Sequence, residues 1–177
     1  MIISVASGKG GTGKTSIAVN MAISIENVQL LDCDVEEPNA HLLLHPKIIS
    51  EEPAYKLIPN LDQELCDYCG KCSNFCQYNA IFVTHKKFLV FPELCHGCGG
   101  CVQICPRGAL KEGKHKIGKI KRGYKDDLEI VYGELEVGEP MAPPLIRQVK
   151  QFIDRSRNVI LDAPPGASCP VIETIKG

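Results

Sequence analysis

The chain has 177 residues, room for one ordinary domain and a small second one. Apolar residues make up 44% and charged residues 23%, and a net charge of -1 creates no global field to recruit nucleic acid. No apolar run approaches the roughly 18 residues of a membrane span, and the start carries no basic segment of a secretory leader.

Residues 2–6 form a short apolar run ending at a glycine-rich loop, and read as a buried strand. Residues 14–25 place Ile17, Ala18, Met21 and Ala22 on one side of a helix. Residues 28–31 read as a second strand, ending in Asp32. This β-α-β opening predicts an α/β domain with a largely parallel sheet. Residues 35–60 contain Pro38, Pro46, Pro53 and Pro59 and are expected to be irregular. Residues 61–110 hold eight cysteines, with short strands expected at 80–83 and 87–91 and too little apolar material for an ordinary core. Residues 111–125 carry seven Lys or Arg and one Glu, whereas 126–139 carry six Asp or Glu and no Lys or Arg. That contrast reads as a solvated hairpin with offsetting charges, or as a docking face for an acidic redox partner. Residues 145–153 read as a helix, 158–161 as a third core strand ending in Asp162, and 170–175 as a short helix.

Residues 8–15, GKGGTGKT, lie between the first strand and the first helix, the setting that a phosphate-binding loop requires. Gly10, Gly11 and Gly13 let the backbone wrap phosphate oxygens, and the helix start adds N–H donors and a favourable dipole. Gly8, Thr12 and Ser16 complete the expected nucleotide-binding set. Lys14 neutralises β- and γ-phosphate charge and the Thr15 hydroxyl serves Mg²⁺, so ATP and Mg²⁺ are the expected ligands. Asp162, at a strand end, is the natural second Mg²⁺ residue. Asp34 is placed to orient an attacking water, and the N–H of Gly166 to sense the γ-phosphate. Asp32 either joins this site or caps a loop. Lys9 has no task in an ordinary phosphate loop, but it can reach a γ-phosphate held by a neighbouring subunit. Hydrolysis would then depend on dimerisation, as it does with an arginine finger.

The run KGGTGKT, the strand-end DCD and the later DAPPG resemble the deviant Walker A ATPases. That superfamily includes the MinD and ParA ATPases, the nitrogenase iron protein and the ApbC-type iron–sulfur carriers. The resemblance covers about residues 1–45 and 155–177. It implies a Rossmann-like P-loop NTPase fold, ATP hydrolysis and an ATP-dependent homodimer. Lys9 maps onto the signature lysine, Lys14 and Thr15 onto the phosphate and Mg²⁺ residues, Asp34 onto the water-orienting aspartate and Asp162 onto the switch II aspartate.

Two cysteine runs follow one spacing, C-x2-C-x2-C-x3-C: Cys66, Cys69, Cys72, Cys76 and Cys95, Cys98, Cys101, Cys105. In ferredoxins with two [4Fe–4S] centres the fourth cysteine of each run ligates the other cluster. The expected sets are therefore Cys66, Cys69, Cys72 with Cys105, and Cys95, Cys98, Cys101 with Cys76. Zinc sites also use C-x2-C pairs, but separated by longer gaps. Residues 61–110 resemble a bacterial-type double-cluster ferredoxin, with Gln77 replacing the proline that Pro106 supplies after the second run. Cys33 reads as a packed residue. Cys169 follows the switch-like DAPPG, where the nitrogenase iron protein carries a cluster-bridging cysteine.

The expected organisation is a discontinuous ATPase domain, 1–60 and 111–177, interrupted by a small α+β double-cluster domain at 61–110. The superfamily usually continues for about another hundred residues, so the sheet is expected to be partial and the sequence truncated at its C-terminus. The first expected function is an ATPase that couples nucleotide-dependent dimerisation to electron transfer through two [4Fe–4S] clusters, between a redox donor and an acceptor, in the cytoplasm. The alternatives are an iron–sulfur carrier or scaffold, and a positioning ATPase whose clusters only hold the insert together.

Overall fold

A computed structural model of the protein describes residues 1–176. In chain order the elements are β1 (Ile2–Val5), α1 (Lys14–Ser24), β2 (Val28–Asp32), α2 (Ala40–Leu44), β3 (Lys47–Leu61), α3 (Lys71–Phe75), β4 (Ile81–Val83) and β5 (Phe88–Val90). They continue with α4 (Gly100–Ile104), β6 (Leu110–Lys125), β7 (Leu128–Leu135), α5 (Ala142–Lys150), β8 (Asn158–Asp162) and α6 (Cys169–Ile175). The protein divides into two compact units, Met1–Ala54 with Ile117–Gly177, and Tyr55–Lys116. The backbone leaves the first unit within β3 and returns within β6.

The strands of the main sheet run in the order β1-β8-β2-β7-β6-β3. β8 lies parallel to both β1 and β2, and β7 lies parallel to β2, whereas β6 runs antiparallel to β7. The sheet is thus mixed, of the kind P-loop NTPases build. Alternation along the strands sends side chains to two helical layers. Leu30, Ile130 and Ile160 pack with Ala18, Val19 and Ala22 of α1 and Leu44 of α2. Leu31, Val131, Val159 and Leu161 pack with Leu145, Ile146 and Val149 of α5. Each large apolar residue so buried contributes roughly 2 kcal/mol. Strands covered on both faces carry apolar side chains in succession, as Leu30 and Leu31 of β2 and Val159, Ile160 and Leu161 of β8 do.

Two regions differ from the reading of the sequence. Residues 35–60 are not irregular: they form α2 and the long strand β3. β3 is an edge strand, where Pro53 and Pro59 are tolerated because not every backbone N–H there has a ladder partner. The acidic stretch after residue 126 is only partly solvated: Asp126, Asp127 and Glu136 are exposed. It holds β7, buried from Leu128 to Gly133 at the middle of the sheet. The charges do offset one another, as a hairpin reading requires. Lys119 and Lys121 pair with Glu134 at 3.2 and 2.7 Å. Glu129, only 2% exposed, receives Arg122 and the Gln29 amide, and Arg157 lies 3.6 Å away. Gly133 leaves room for the helix above, since a Cβ there would meet Val35, Val149 and Leu145 at 2.8–3.1 Å.

The second unit has a sparse core of Ile81, Cys101 and Leu110, with Leu61, Val83, Phe88 and Val102 against it. It is built from a repeat. Residues 66–81 and 95–110 place equivalent residues 29 positions apart, and the equivalence extends to the backbone. Tyr68 and Gly97, Gly70 and Gly99, and Asn79 and Gly108 all take positive φ, between 51° and 75°. In each copy a left-handed glycine, Gly70 or Gly99, opens a five-residue helix, α3 or α4. The buried pairs Ala80/Ala109 and Ile81/Leu110 close each copy.

Replacing Glu129 with Ala removes the carboxylate from two guanidinium groups and from the Gln29 amide, which keeps the Phe152 carbonyl as acceptor at 2.8 Å. Both arginines can regain water, so the cost is set by the lost charged hydrogen bonds, about 2 kcal/mol. Chemical denaturation of Glu129→Ala against the unsubstituted protein measures it, and a change below about 0.5 kcal/mol would show that β7 does not need this acceptor.

Candidate functional site

The phosphate loop connects β1 to α1. Gly11 and Gly13 adopt φ of 71° and 84°, a region that costs L-residues with side chains about 1–2 kcal/mol. The Ser7 hydroxyl pins the loop by donating to the Lys9 carbonyl at 2.8 Å and meeting the Thr12 hydroxyl at 2.7 Å. The start of α1, where Gly13 is the cap residue, has no hydrogen bond from a capping residue. Its first N–H groups are therefore available to an anion. Gly8, Lys9, Gly10, Gly11, Thr12 and Ser16 are exposed, Thr15 is half-buried and Lys14 is 8% exposed.

Three carboxylates converge on this loop because the sheet register aligns their strands. Asp32 and Asp162 are direct partners across β2 and β8. Asp32 accepts backbone N–H groups from Asp34, Asn39 and Ala40 at 3.0–3.1 Å. It therefore caps the loop before α2. Burial, opposed by the Ala40 N–H and reinforced by Asp162, pushes its carboxyl up to about 7. Asp34 is pushed up to about 6 by burial and by the Asp162 charge, against the pull of Lys14. Both oxygens of Asp162 are buried without a hydrogen-bond partner in bonding geometry. Burial raises this carboxyl, while the nearby Thr15 hydroxyl and Lys14 favour its charge. An orphaned buried carboxylate beside a threonine hydroxyl is a donor set suited to a hard divalent cation such as Mg²⁺. The N–H of Gly166 donates to the Ser7 carbonyl at 3.1 Å, so here it faces the loop backbone.

The second unit contains two cysteine-lined cavities. One, of about 250 Å³, is lined by Cys76, Cys95, Cys98 and Cys101 together with Leu57, Phe75, Tyr78 and His96. The other, of about 20 Å³, is lined by Cys66, Cys69, Cys72 and Cys105 together with Tyr68, Phe88 and Arg107. None of the ten cysteines is in a disulfide. Among the described residues no group of three or more His, Cys, Asp or Glu side chains is arranged to hold a single metal ion. One tetrahedral ion with bonds of about 2.3 Å needs sulfurs only about 3.8 Å apart. Each set of four thiols lines one of the two cavities. Burial raises the Cys72 thiol and pushes Cys101 up to about 11, with Cys95 and Cys98 adding to the latter. Burial opposes ionisation of Cys105 too, but the backbone N–H groups of Arg107, Ala109, Leu110 and Gly108 outweigh it and lower that thiol. Cys33 is packed in the core, and burial raises its thiol. Cys169 is exposed at the start of α6.

Residues 3–161 match the CobQ/CobB/MinD/ParA nucleotide binding domain. The chain belongs to that family. Two uncharacterized proteins of Methanocaldococcus jannaschii are similar to this ParA/MinD-type protein over 99% of its length, at 38% and 30% identity. The sequence spans 64% and 65% of their lengths. An Arabidopsis thaliana iron–sulfur protein required for NADH dehydrogenase is 42% identical over 67 residues, 33% of this sequence and 20% of its own. Family membership makes ATP binding the expected property of the loop. Among the described residues no helix is long and apolar enough to cross a membrane.

Ser7 was not legible as a functional position. Its only signal is a small hydroxyl residue immediately before the first loop glycine. The cross-run partners Asp67–Arg107 and Tyr78–His96 were not legible either, although the 29-residue offset marks their positions as equivalent.

Both Asp32 and Asp34 titrate above the ordinary 3.8 in the folded protein, so folding favours their protonated forms. The stability they contribute is full below 3.8 and is lost as pH rises through about 6 and 7. Asp34→Asn removes one titrating group and a like charge facing Asp162. The fall in thermal midpoint from pH 5 to pH 8, without nucleotide, is expected to shrink in this variant. A fall as large as that of the unsubstituted protein would show that Asp34 titrates normally.

Proposed function

We propose that this chain is the nucleotide-binding part of a ParA/MinD-type positioning ATPase, carrying an inserted unit that two [4Fe–4S] clusters hold together. The observation that carries the ATPase reading is Asp162, whose buried, unpartnered carboxylate faces Thr15 and Lys14 behind an open phosphate loop. Thr15 and Asp162 would hold Mg²⁺, which supplies positive charge at the phosphates. Lys14 neutralises the β- and γ-phosphate oxygens. Asp34, charged once Lys14 and a cation face it, orients the water for in-line attack. Lys9 stays exposed in a single copy, and its ammonium completes the γ-phosphate site of a second copy in an ATP-dependent homodimer. Gly166 must leave the Ser7 carbonyl to reach a γ-phosphate, so nucleotide exchange moves the segment after β8.

The insert corresponds to residues 61–110, inside the second compact unit. Its cysteines fit two clusters: Cys66, Cys69, Cys72 with Cys105, and Cys95, Cys98, Cys101 with Cys76. Each set lines one cavity, and the sparse core leaves the unit in need of such staples. Bound clusters supply one-electron redox chemistry. Electron transfer to a protein partner is therefore a second reading, favoured by Cys69 and Cys98, which leave one ligand of each set exposed. The iron–sulfur designation of the Arabidopsis relative agrees with cluster binding, whereas the family match speaks only for the ATPase. A carrier role sits less well, because ligands interleaved between two runs resist release.

ATP hydrolysis by the purified protein tests the first reading. Lys14→Ala is expected to abolish nucleotide binding. Lys9→Ala is expected to keep binding but lose about 10³-fold or more in turnover, by analogy with a trans-acting cation. Equal turnover in Lys9→Ala and the unsubstituted protein would rule out the cross-subunit role. Anaerobic redox titration with and without MgATP separates the two readings of the clusters. Potentials indifferent to nucleotide are expected for structural clusters. A shift of about 59 mV, a tenfold coupling, would favour electron transfer instead.

A further inference from the structure

Two linked pairs of equivalent positions in the second unit's repeat differ in a chemically definite way. Asp67 and His96 each follow the first cysteine of a run, and Tyr78 and Arg107 each lie two residues after the last. The repeat therefore offers the same cross-run contact twice. In one copy it is an ion pair, Arg107 Nε to Asp67 Oδ2 at 3.0 Å. In the other it is a stack, Tyr78 on His96, with ring centroids 3.5 Å apart and planes within 11°. The charged pair lines the cavity of Cys66, Cys69, Cys72 and Cys105. The aromatic pair lines the cavity of Cys76, Cys95, Cys98 and Cys101. Each contact ties a residue of one run to a residue of the other, beside the thiols of one cavity only.

We propose that these two clasps make the cluster sites inequivalent, with Arg107 and Asp67 as opposed electrostatic positioning residues for the cluster held by Cys66, Cys69, Cys72 and Cys105. The inference rests on the two-cluster reading. Reduction adds one negative charge to a cluster. The Arg107 guanidinium favours that charge, and the Asp67 carboxylate opposes it. With both present their influences largely cancel. Removing either one unmasks the other, so the two single substitutions displace the potential in opposite directions. A clasp that acted only by holding the runs together would behave differently, because breaking it from either side disturbs the same loop in the same way. Asp67 also accepts the Cys69 N–H at 3.3 Å through Oδ1, a bond that an asparagine carbonyl at that position can keep. Both residues of the ion pair are exposed, so salt screens their effect. The Tyr78–His96 clasp has no such opposed charges, and its influence falls on the other cavity.

The test is anaerobic reconstitution of the full-length protein with iron and sulfide, followed by iron counting and a redox titration read by electron paramagnetic resonance. The proteins are the unsubstituted form, R107Q, D67N and Y78L. Half of the reducible signal is expected to move to lower potential in R107Q, and the same half to higher potential in D67N. Both displacements should shrink at high salt. In Y78L the other half is expected to move. Displacements of one sign in R107Q and D67N, displacements shared by both halves, or no displacement would overturn the clasp proposal while leaving the two-cluster reading intact. A protein that takes up no iron would overturn that reading, and the clasp proposal with it.

Discussion

Three carboxylates share one buried corner of the sheet, and the rest of the first unit is arranged around them. The parallel register of β2 and β8 sets Asp32 directly opposite Asp162, and the turn after β2 brings Asp34 toward Lys14. Like charges this close cannot all ionise cheaply away from water. The fold satisfies one of them internally, since Asp32 takes three backbone N–H groups. It leaves both oxygens of Asp162 without a partner in hydrogen-bonding geometry, with Thr15 and Lys14 nearby. The corner thus concentrates negative charge beside Lys14 at the base of the phosphate loop.

The same logic holds in the second unit with different groups. Its core is too small to account for a defined structure, and its backbone visits the left-handed region at six positions within the two copies of the repeat. Four of the six are glycines, which take that region freely, so it is the small core that calls for something else to hold the loops. The thiols that face the two cavities are the groups able to do so, and the N–H groups around Cys105 already favour a charged sulfur there. The repeat explains why two cavities occur. Among the differences between its copies, charge in one and aromatic rings in the other give the two cavities different surroundings.

Much of the candidate site was visible in linear order. The loop residues, Asp34, Asp162 and all eight run cysteines stand in spacings whose chemistry follows from phosphate and sulfur ligation. The strand β7 was not visible, because its acidic residues suggest solvent when read without their partners. Glu129 is buried only because Arg122, Arg157 and Gln29 meet it from other elements. The long edge strand β3 was hidden for the opposite reason. Its prolines argue against a strand in general, and only its place at the sheet edge makes them harmless.

Local pattern by itself determined the phosphate loop, the opening β-α-β unit and the two cysteine quartets. These rest on residues within a few positions of one another, where backbone geometry leaves few choices. Which strand ends meet, which acid caps a loop and which lacks a partner, and which cysteines face one cavity were decided by the tertiary structure. Those outcomes depend on register and burial among residues far apart in sequence, such as Asp32 with Asp162 and Val5 with Asp162. No local preference reaches that far; only packing the whole sheet settles it.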